Sequence, residues 1–169
     1  MAKLSWGEPT VKATKEGGES AITFPEIRQG TATLETEDGE LTEALDEGGD
    51  VVDSRKAKSR YTFSCDVYMQ KGMTPPINPD DDGKILDNYS LEVIPEDETT
   101  VGFKFALSRV SLTVTWTSEV GMLLHYEFAA IKPKGGSGKT FELTNVNLIY
   151  PLPISGRKQQ QRETLSDSL

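Results

Sequence analysis

In the stretch RYTFSCDVYM, Tyr61, Phe63, Cys65, Val67 and Met69 share one parity, while Thr62, Ser64, Asp66 and Tyr68 take the other. A period of two is the mark of a half-buried β-strand, because successive side chains leave a strand on opposite faces. The pattern returns in RVSLTVTWTS, where Val110, Leu112, Val114 and Trp116 alternate with Ser111, Thr113, Thr115 and Thr117. It returns again in GMLLHYEFAA, with Met122, Leu124, Tyr126 and Phe128 on one face. Weaker strands read at 10–14, 19–24, 31–36, 39–45, 88–94 and 141–150. Glycine and proline punctuate the gaps, and no 10–15-residue helical segments separate the strands, which disfavours a parallel α/β architecture.

The expected fold is all-β: an antiparallel β-sandwich or partly open barrel with a long hairpin arm and extended termini. One short helix is expected where Pro95, Glu96 and Asp97 lead into ETTVGFKFAL, since acids favour a helix N-terminus. With 169 residues, a single domain over 1–154 is expected, followed by a polar tail over 155–169. The lone cysteine, Cys65, cannot form an intramolecular disulfide and, on the apolar parity of its strand, is expected to pack as a small hydrophobe. No signal-peptide-like apolar run or membrane-length apolar stretch occurs, so the expectation is synthesis in a reducing compartment with no membrane span.

Charge is distributed unevenly. From Glu35 to Asp53 there are nine acids (Glu35, Glu37, Asp38, Glu40, Glu43, Asp46, Glu47, Asp50 and Asp53) and no lysine or arginine. Arg55, Lys56, Lys58 and Arg60 follow at once. Acids then bases leading into the strand at 60–69 predict a hairpin arm over about 36–58 with opposite charges on its limbs. Such an arm serves solubility, or docks on a neighbour with charge setting its register. The net charge of −9 argues against wrapping a nucleic-acid backbone.

The motifs that carry chemistry elsewhere fail in context here. GGSGKT at 135–140 ends like a phosphate-binding loop, but Pro133 stands where the first glycine belongs, and a strand rather than a helix follows. NPDDDG at 78–83 begins like a calcium loop, but Tyr89 occupies the position of the bidentate glutamate. His125 is the sole histidine and lies on the parity opposite Tyr126 and Phe128. Trp116, in phase with Leu112 and Val114, is expected in the core. Trp6 is a candidate stacking platform, and the long loop over 70–88 is expected to project outward. No catalytic, metal or cofactor site emerges, and no enzyme activity is expected.

The segments GGDVVDSRKAKSRYTFSCDVYM (48–69) and DNYSLEVIPEDETTVGFKFALSRVSLTVTWTSEVGMLLHYEFAAIKP (87–133) give a layout that resembles the tail tube (major tail) proteins of bacteriophages, relatives of the inner-tube proteins of contractile injection systems. The shared layout, over about 30–150, is an acidic hairpin ending in a basic stretch, alternating strands, a short helix after the turn at Pro95–Asp97 and a final strand pair. The resemblance implies a subunit that assembles with itself into hexameric rings, stacked into a hollow tube in the virion and made in the host cytoplasm. DNA would pass through an acidic lumen without specific binding, and other tail proteins would be further partners. It implies lumen positions for Glu35 and Glu37. It implies an inter-ring arm carrying Glu40, Glu43, Asp46, Glu47, Asp50, Asp53, Arg55, Lys56 and Lys58, and tail contacts through Arg157, Lys158 and Arg162. The competing expectations are a soluble β-sandwich binding module, or another virion ring component such as a tail terminator or head–tail joining protein.

Overall fold

The structure, a computed structural model, describes residues 3–133, 135 and 138–146. Ten strands follow in order: β1 (Thr10–Lys15), β2 (Ala21–Thr23), β3 (Thr33–Glu37), β4 (Leu41–Leu45), β5 (Val51–Lys56), β6 (Arg60–Tyr68), β7 (Asn88–Ile94), β8 (Gly102–Thr117), β9 (Gly121–Ala130) and β10 (Phe141–Thr144). Eight form one antiparallel sheet in the order β2-β1-β7-β8-β9-β6-β3, with β10 also on β8, while β4 and β5 pair separately. Among the described residues β2 and β3 do not meet, so the sheet folds over without closing into a barrel.

The fold-over is made by β8. Its first half pairs with β7 on one side and β10 on the other; its second half pairs with β9 on the β10 side. Between Tyr89/Leu91 of β7 and Ser108/Phe105 of β8 the register slips by one residue, which places an extra residue in β8. The buried phase changes there: Phe105 and Leu107 point inward before the bulge, and Val110 and Leu112 after it. A bulge sharpens twist and bends a strand, which lets one strand serve two packed layers. The buried Ser108 hydroxyl donates to the Tyr89 carbonyl at 2.7 Å, so the irregular ladder leaves that acceptor satisfied.

One layer is therefore β2-β1-β7-β8-β10, and the other is β3-β6-β9 with the second half of β8. The apolar faces predicted by parity meet between them. Phe63, Cys65 and Val67 of β6 and Leu124, Tyr126 and Phe128 of β9 pack with Val11, Ala13, Leu91, Val93 and Phe105. Phe24 lies 5.1 Å from Tyr126, and Phe63 meets Phe103 edge-on at 5.6 Å. The short β10 is held by its first residue: Phe141 stacks on Tyr61 at 4.5 Å with the rings 7° apart.

The short helix is replaced by a turn. The Asp97 carboxylate accepts from the Thr99 N–H at 3.0 Å and the Thr99 hydroxyl at 2.6 Å, and the Thr100 N–H reaches the Asp97 carbonyl. The two Thr99 bonds, with a smaller contribution from Lys3, hold the Asp97 carboxyl below the usual range. An Asp that caps its own turn competes with helix formation. Gly102 then starts β8, where a Cβ would lie 2.5 Å from the Val93 carbonyl oxygen, and Phe103, Phe105 and Leu107 continue as a strand.

Of the strand expected over 141–150, positions 147–150 lie outside the described residues; β10 ends at Thr144, and Asn145 takes the left-handed backbone conformation (φ 56°). Its amide is satisfied by the carbonyls of Glu98 and Thr100 at 2.7 and 3.1 Å. The loop after β6 is pinned at its middle: Ile77 is buried, and the Tyr126 hydroxyl donates to its carbonyl at 2.8 Å.

Cys65 is fully buried, and burial first, then the neighbouring Asp66, pushes its thiol up to about 12. The thiolate is the reactive form. Cys65 is therefore expected to resist a disulfide reagent at pH 8 in the native protein and to react fully in denaturant; rapid native labelling would contradict the packing.

Candidate functional site

The β3–β6 hairpin continues into the arm. Its last pairs, Thr36↔Tyr61 and Glu37↔Arg60, share one register with the first arm pair, Leu41↔Lys56. The ladder is interrupted only over 38–40 and 57–59. There the backbone strands crowd so closely that a Cβ on Gly39 would fall 1.8 Å from the Ala57 carbonyl oxygen. Asp38 secures this junction by accepting from Lys56 Nζ at 2.8 Å and the Ser59 hydroxyl at 3.1 Å, bonds that hold its carboxyl below the usual range. At the tip, Asp46 Oδ1 accepts from the N–H groups of Gly48 and Asp50, each at 2.9 Å.

Every residue of β4 and β5 is exposed. The predicted arm residues Glu40, Glu43, Asp46, Glu47, Asp50, Asp53, Arg55, Lys56 and Lys58 all stand in solvent. Their charges separate along the arm more than between its limbs: Asp53 sits on the second limb opposite Ala44, so the distal end is acidic on both sides. Bases gather towards the junction, where Arg55 faces Thr42 and Lys56 pairs with Asp38. Leu41, Leu45 and Val51 occupy one face of this two-stranded ribbon, and all three are exposed. An isolated two-stranded hairpin is marginal in water, so a solvent-facing apolar stripe on one is unusual.

A second exposed apolar group lies at the far end of β8 and β9. Trp116 is 66% exposed and Val114 54%, with Met122 opposite Trp116 in the ladder. The expectation that Trp116 belongs to the core is thus corrected. Its parity is right, but β7 ends its pairing at Arg109, so the hairpin outruns the layer that would have covered it. For the same reason the side of β8 away from β9 has no strand partner over 111–117 among the described residues. The opposite edge of this layer, β3, is likewise unpaired on its outer side.

Between these two edges, the outward face is polar. Glu35 lies beside Thr62, Ala129 and Arg109 in successive strands; Thr33 beside Ser64, Glu127 and Ser111; and Asp66 beside His125 and Thr113. Glu35 and Glu37, the predicted lumen residues, are both exposed on this face. His125 Nδ1 contacts Asp66 Oδ1 at 2.5 Å. That arrangement orients an imidazole, but among the described residues no hydroxyl hydrogen-bonds its other nitrogen, and a nucleophile is what a catalytic triad requires.

The remaining sequence motifs resolve locally. Asp80 Oδ1 accepts from the N–H groups of Asp82 and Lys84 at 3.0 and 2.8 Å, making an ordinary turn. No three His, Cys, Asp or Glu side chains among the described residues come together as a metal site. Trp6 is 80% exposed beside a groove of about 700 Å³ at one end of the sandwich, which it lines with Leu34, Phe63, Val101 and Phe103. Arg157, Lys158 and Arg162 lie outside the described residues. No helix among the described residues is long and apolar enough to cross a membrane.

No protein-family model and no curated protein sequence matches the chain. The functional reading therefore rests on the surfaces above. Alternation predicts the faces of β8 and β9 but not where cover ends. The signal that could have revealed the exposed tip is strand length, since β8 has 16 residues against 7 in β7.

Proposed function

We propose that the protein is a structural subunit that assembles with itself into rings, stacked into the hollow tail tube of a phage, with DNA passing through the bore. The observation that carries this reading is the four-strand layer β3-β6-β9-β8, whose two outer edges have no strand partner among the described residues and whose end is apolar at Val114 and Trp116. Open, unguarded edges pair with other chains, and a closed ring of subunits removes them. Joining the β8 edge of one subunit to the β3 edge of the next is a head-to-tail contact of the kind that generates rings. Six subunits of four strands would give about 24 strands, more than the roughly 16–18 that already leave an aqueous channel.

In such a ring the outward face of the layer lines the bore, bringing the acids Glu35, Glu37, Asp66 and Glu127 to the DNA against the two bases Arg60 and Arg109, an acidic balance. Duplex DNA carries one negative charge per roughly 1.7 Å of axis, and acids on the wall repel it instead of releasing its counterions and holding it. The arm, with its apolar stripe and acidic tip, reaches the adjacent ring, where complementary charge sets register.

Negative-stain electron microscopy of the purified protein across concentration and salt tests the reading: rings of one diameter or hollow tubes are expected, and a strict monomer in all conditions would overturn it. Replacing Glu43, Asp46, Glu47 and Asp50 with Gln is expected to raise the concentration needed for stacking by about tenfold while the circular dichroism of the monomer is unchanged. Unaltered stacking would remove the arm from the interface.

A further inference from the structure

We propose, resting on the ring assembly above, that the groove beside Trp6 receives Val114 and Trp116 from the β8 edge of the next copy. The groove lies on the core side of the β3 edge: Ala32, Leu34 and Phe63 line it from that layer, and Trp6, Val101 and Phe103 complete its wall. Val114 and Trp116 share the parity of the buried Val110, so they too leave their sheet on its core side, beyond the end of the β7 pairing. Side chains directly opposite in neighbouring strands take the same face. A β8 edge laid against the outer side of β3 therefore carries Val114 and Trp116 into the groove, while Thr113 and Thr115 stay on the face of Glu35. Two β3 edges laid together would instead set Glu35 and Glu37 of both copies side by side, where like charges repel.

Register supports the same contact. Three antiparallel pairings separate β3 from β8, so the two run antiparallel, and rotation about a ring axis keeps strand directions; the joint is antiparallel as well. Setting Val114 beside Leu34 then sets Trp116 beside Ala32, and Thr113 beside Glu35, where a hydroxyl meets a carboxylate. Within one subunit Leu34 is level with Phe63, Phe128 and Val110, so this joint advances the register by four residues over four strands. At about 3.3 Å per residue and about 4.8 Å between strands, that advance corresponds to a strand tilt of about 35°, within the roughly 35–45° that barrel closure requires. The same register brings Glu119, in the turn after β8, towards Arg28 on the groove wall. Arg28 is half-buried and makes no ion pair among the described residues, so the approaching acid meets an uncompensated charge.

Two variants of the full chain test the contact. Trp6→Asp with Val101→Asp charges the groove at two exposed positions, so circular dichroism and the urea midpoint of the monomer are expected to stay unchanged. The concentration needed for rings in sedimentation velocity is expected to rise by about tenfold or more, because a buried tryptophan is a dominant interface anchor. Glu35→Cys with Thr113→Cys, both exposed, is expected to give a ladder of oxidised, denaturant-resistant multimers, while Glu35→Cys with Thr117→Cys, four residues out of register, is not. Rings formed by the groove variant at the concentration of the unaltered chain would overturn this inference and leave ring assembly standing. So would cross-linking that favours position 117 over 113, or rings that cross-link at neither. A strict monomer for the unaltered chain would overturn ring assembly, and this contact with it.

Discussion

Tyr126→Ala is expected to destabilise the protein by about 3–5 kcal/mol, a large share of the roughly 5–15 kcal/mol that holds a domain together. The side chain is fully buried, its ring packs on Phe24, and its hydroxyl bonds to the Ile77 carbonyl. Truncation opens a cavity where the two layers meet and also frees the loop that Ile77 anchors. Tyr126→Phe separates these effects: the ring stays, and the unmet Ile77 carbonyl costs about 1–3 kcal/mol. Urea unfolding of both variants, with limited proteolysis of the loop between β6 and β7, checks the prediction. A loss under about 1 kcal/mol for the alanine variant would contradict this account of the core. Burial pushes the Tyr126 hydroxyl up to about 12 from an ordinary 10. The folded state then holds the proton more tightly than the unfolded state, so this contribution is complete below pH 10 and is lost as pH rises towards 12. Tyr126→Phe removes that part of the alkaline decline.

Val114→Lys combined with Trp116→Lys is expected to leave monomer stability within about 0.5 kcal/mol, because neither side chain is in the core. Assembly should respond very differently. Two unpartnered charges would enter the sheet edge that the proposed ring contact buries, and burying uncompensated charge is strongly unfavourable, so the concentration needed for rings should rise by about a hundredfold or more. Sedimentation velocity and electron microscopy read the two arms of this prediction. Normal assembly by the double variant would show that the β8 edge is not the joint and would move attention to the arm.

Much of the sandwich was legible in the chain. The alternation in 60–69 and 121–130 predicts the inward Phe63, Cys65, Val67, Leu124, Tyr126 and Phe128 and the outward His125, but not the exposed Met122 or the buried Leu123. The acidic-to-basic run predicts a hairpin, and the structure gives one whose register continues from β3–β6. The expected helix after Pro95 is a turn in the structure: Glu96 and Asp97 suit a helix start and a self-capped turn equally well. The choice fell to the crowding of Gly102 against Val93 and to the pairing of Phe103 and Phe105 with β7 and β10.

What the residues determined alone is local: a period of two, which follows from strand geometry, together with the glycine, proline and aspartate positions that break it. What the tertiary structure decided is non-local. It placed the bulge that lets β8 serve both layers, ended the β7 pairing before Val114 and Trp116, and left Leu41, Leu45 and Val51 exposed. Parity tells which side of a strand a residue takes, but burial also requires a second layer opposite it, and the extent of that layer depends on residues far away in sequence.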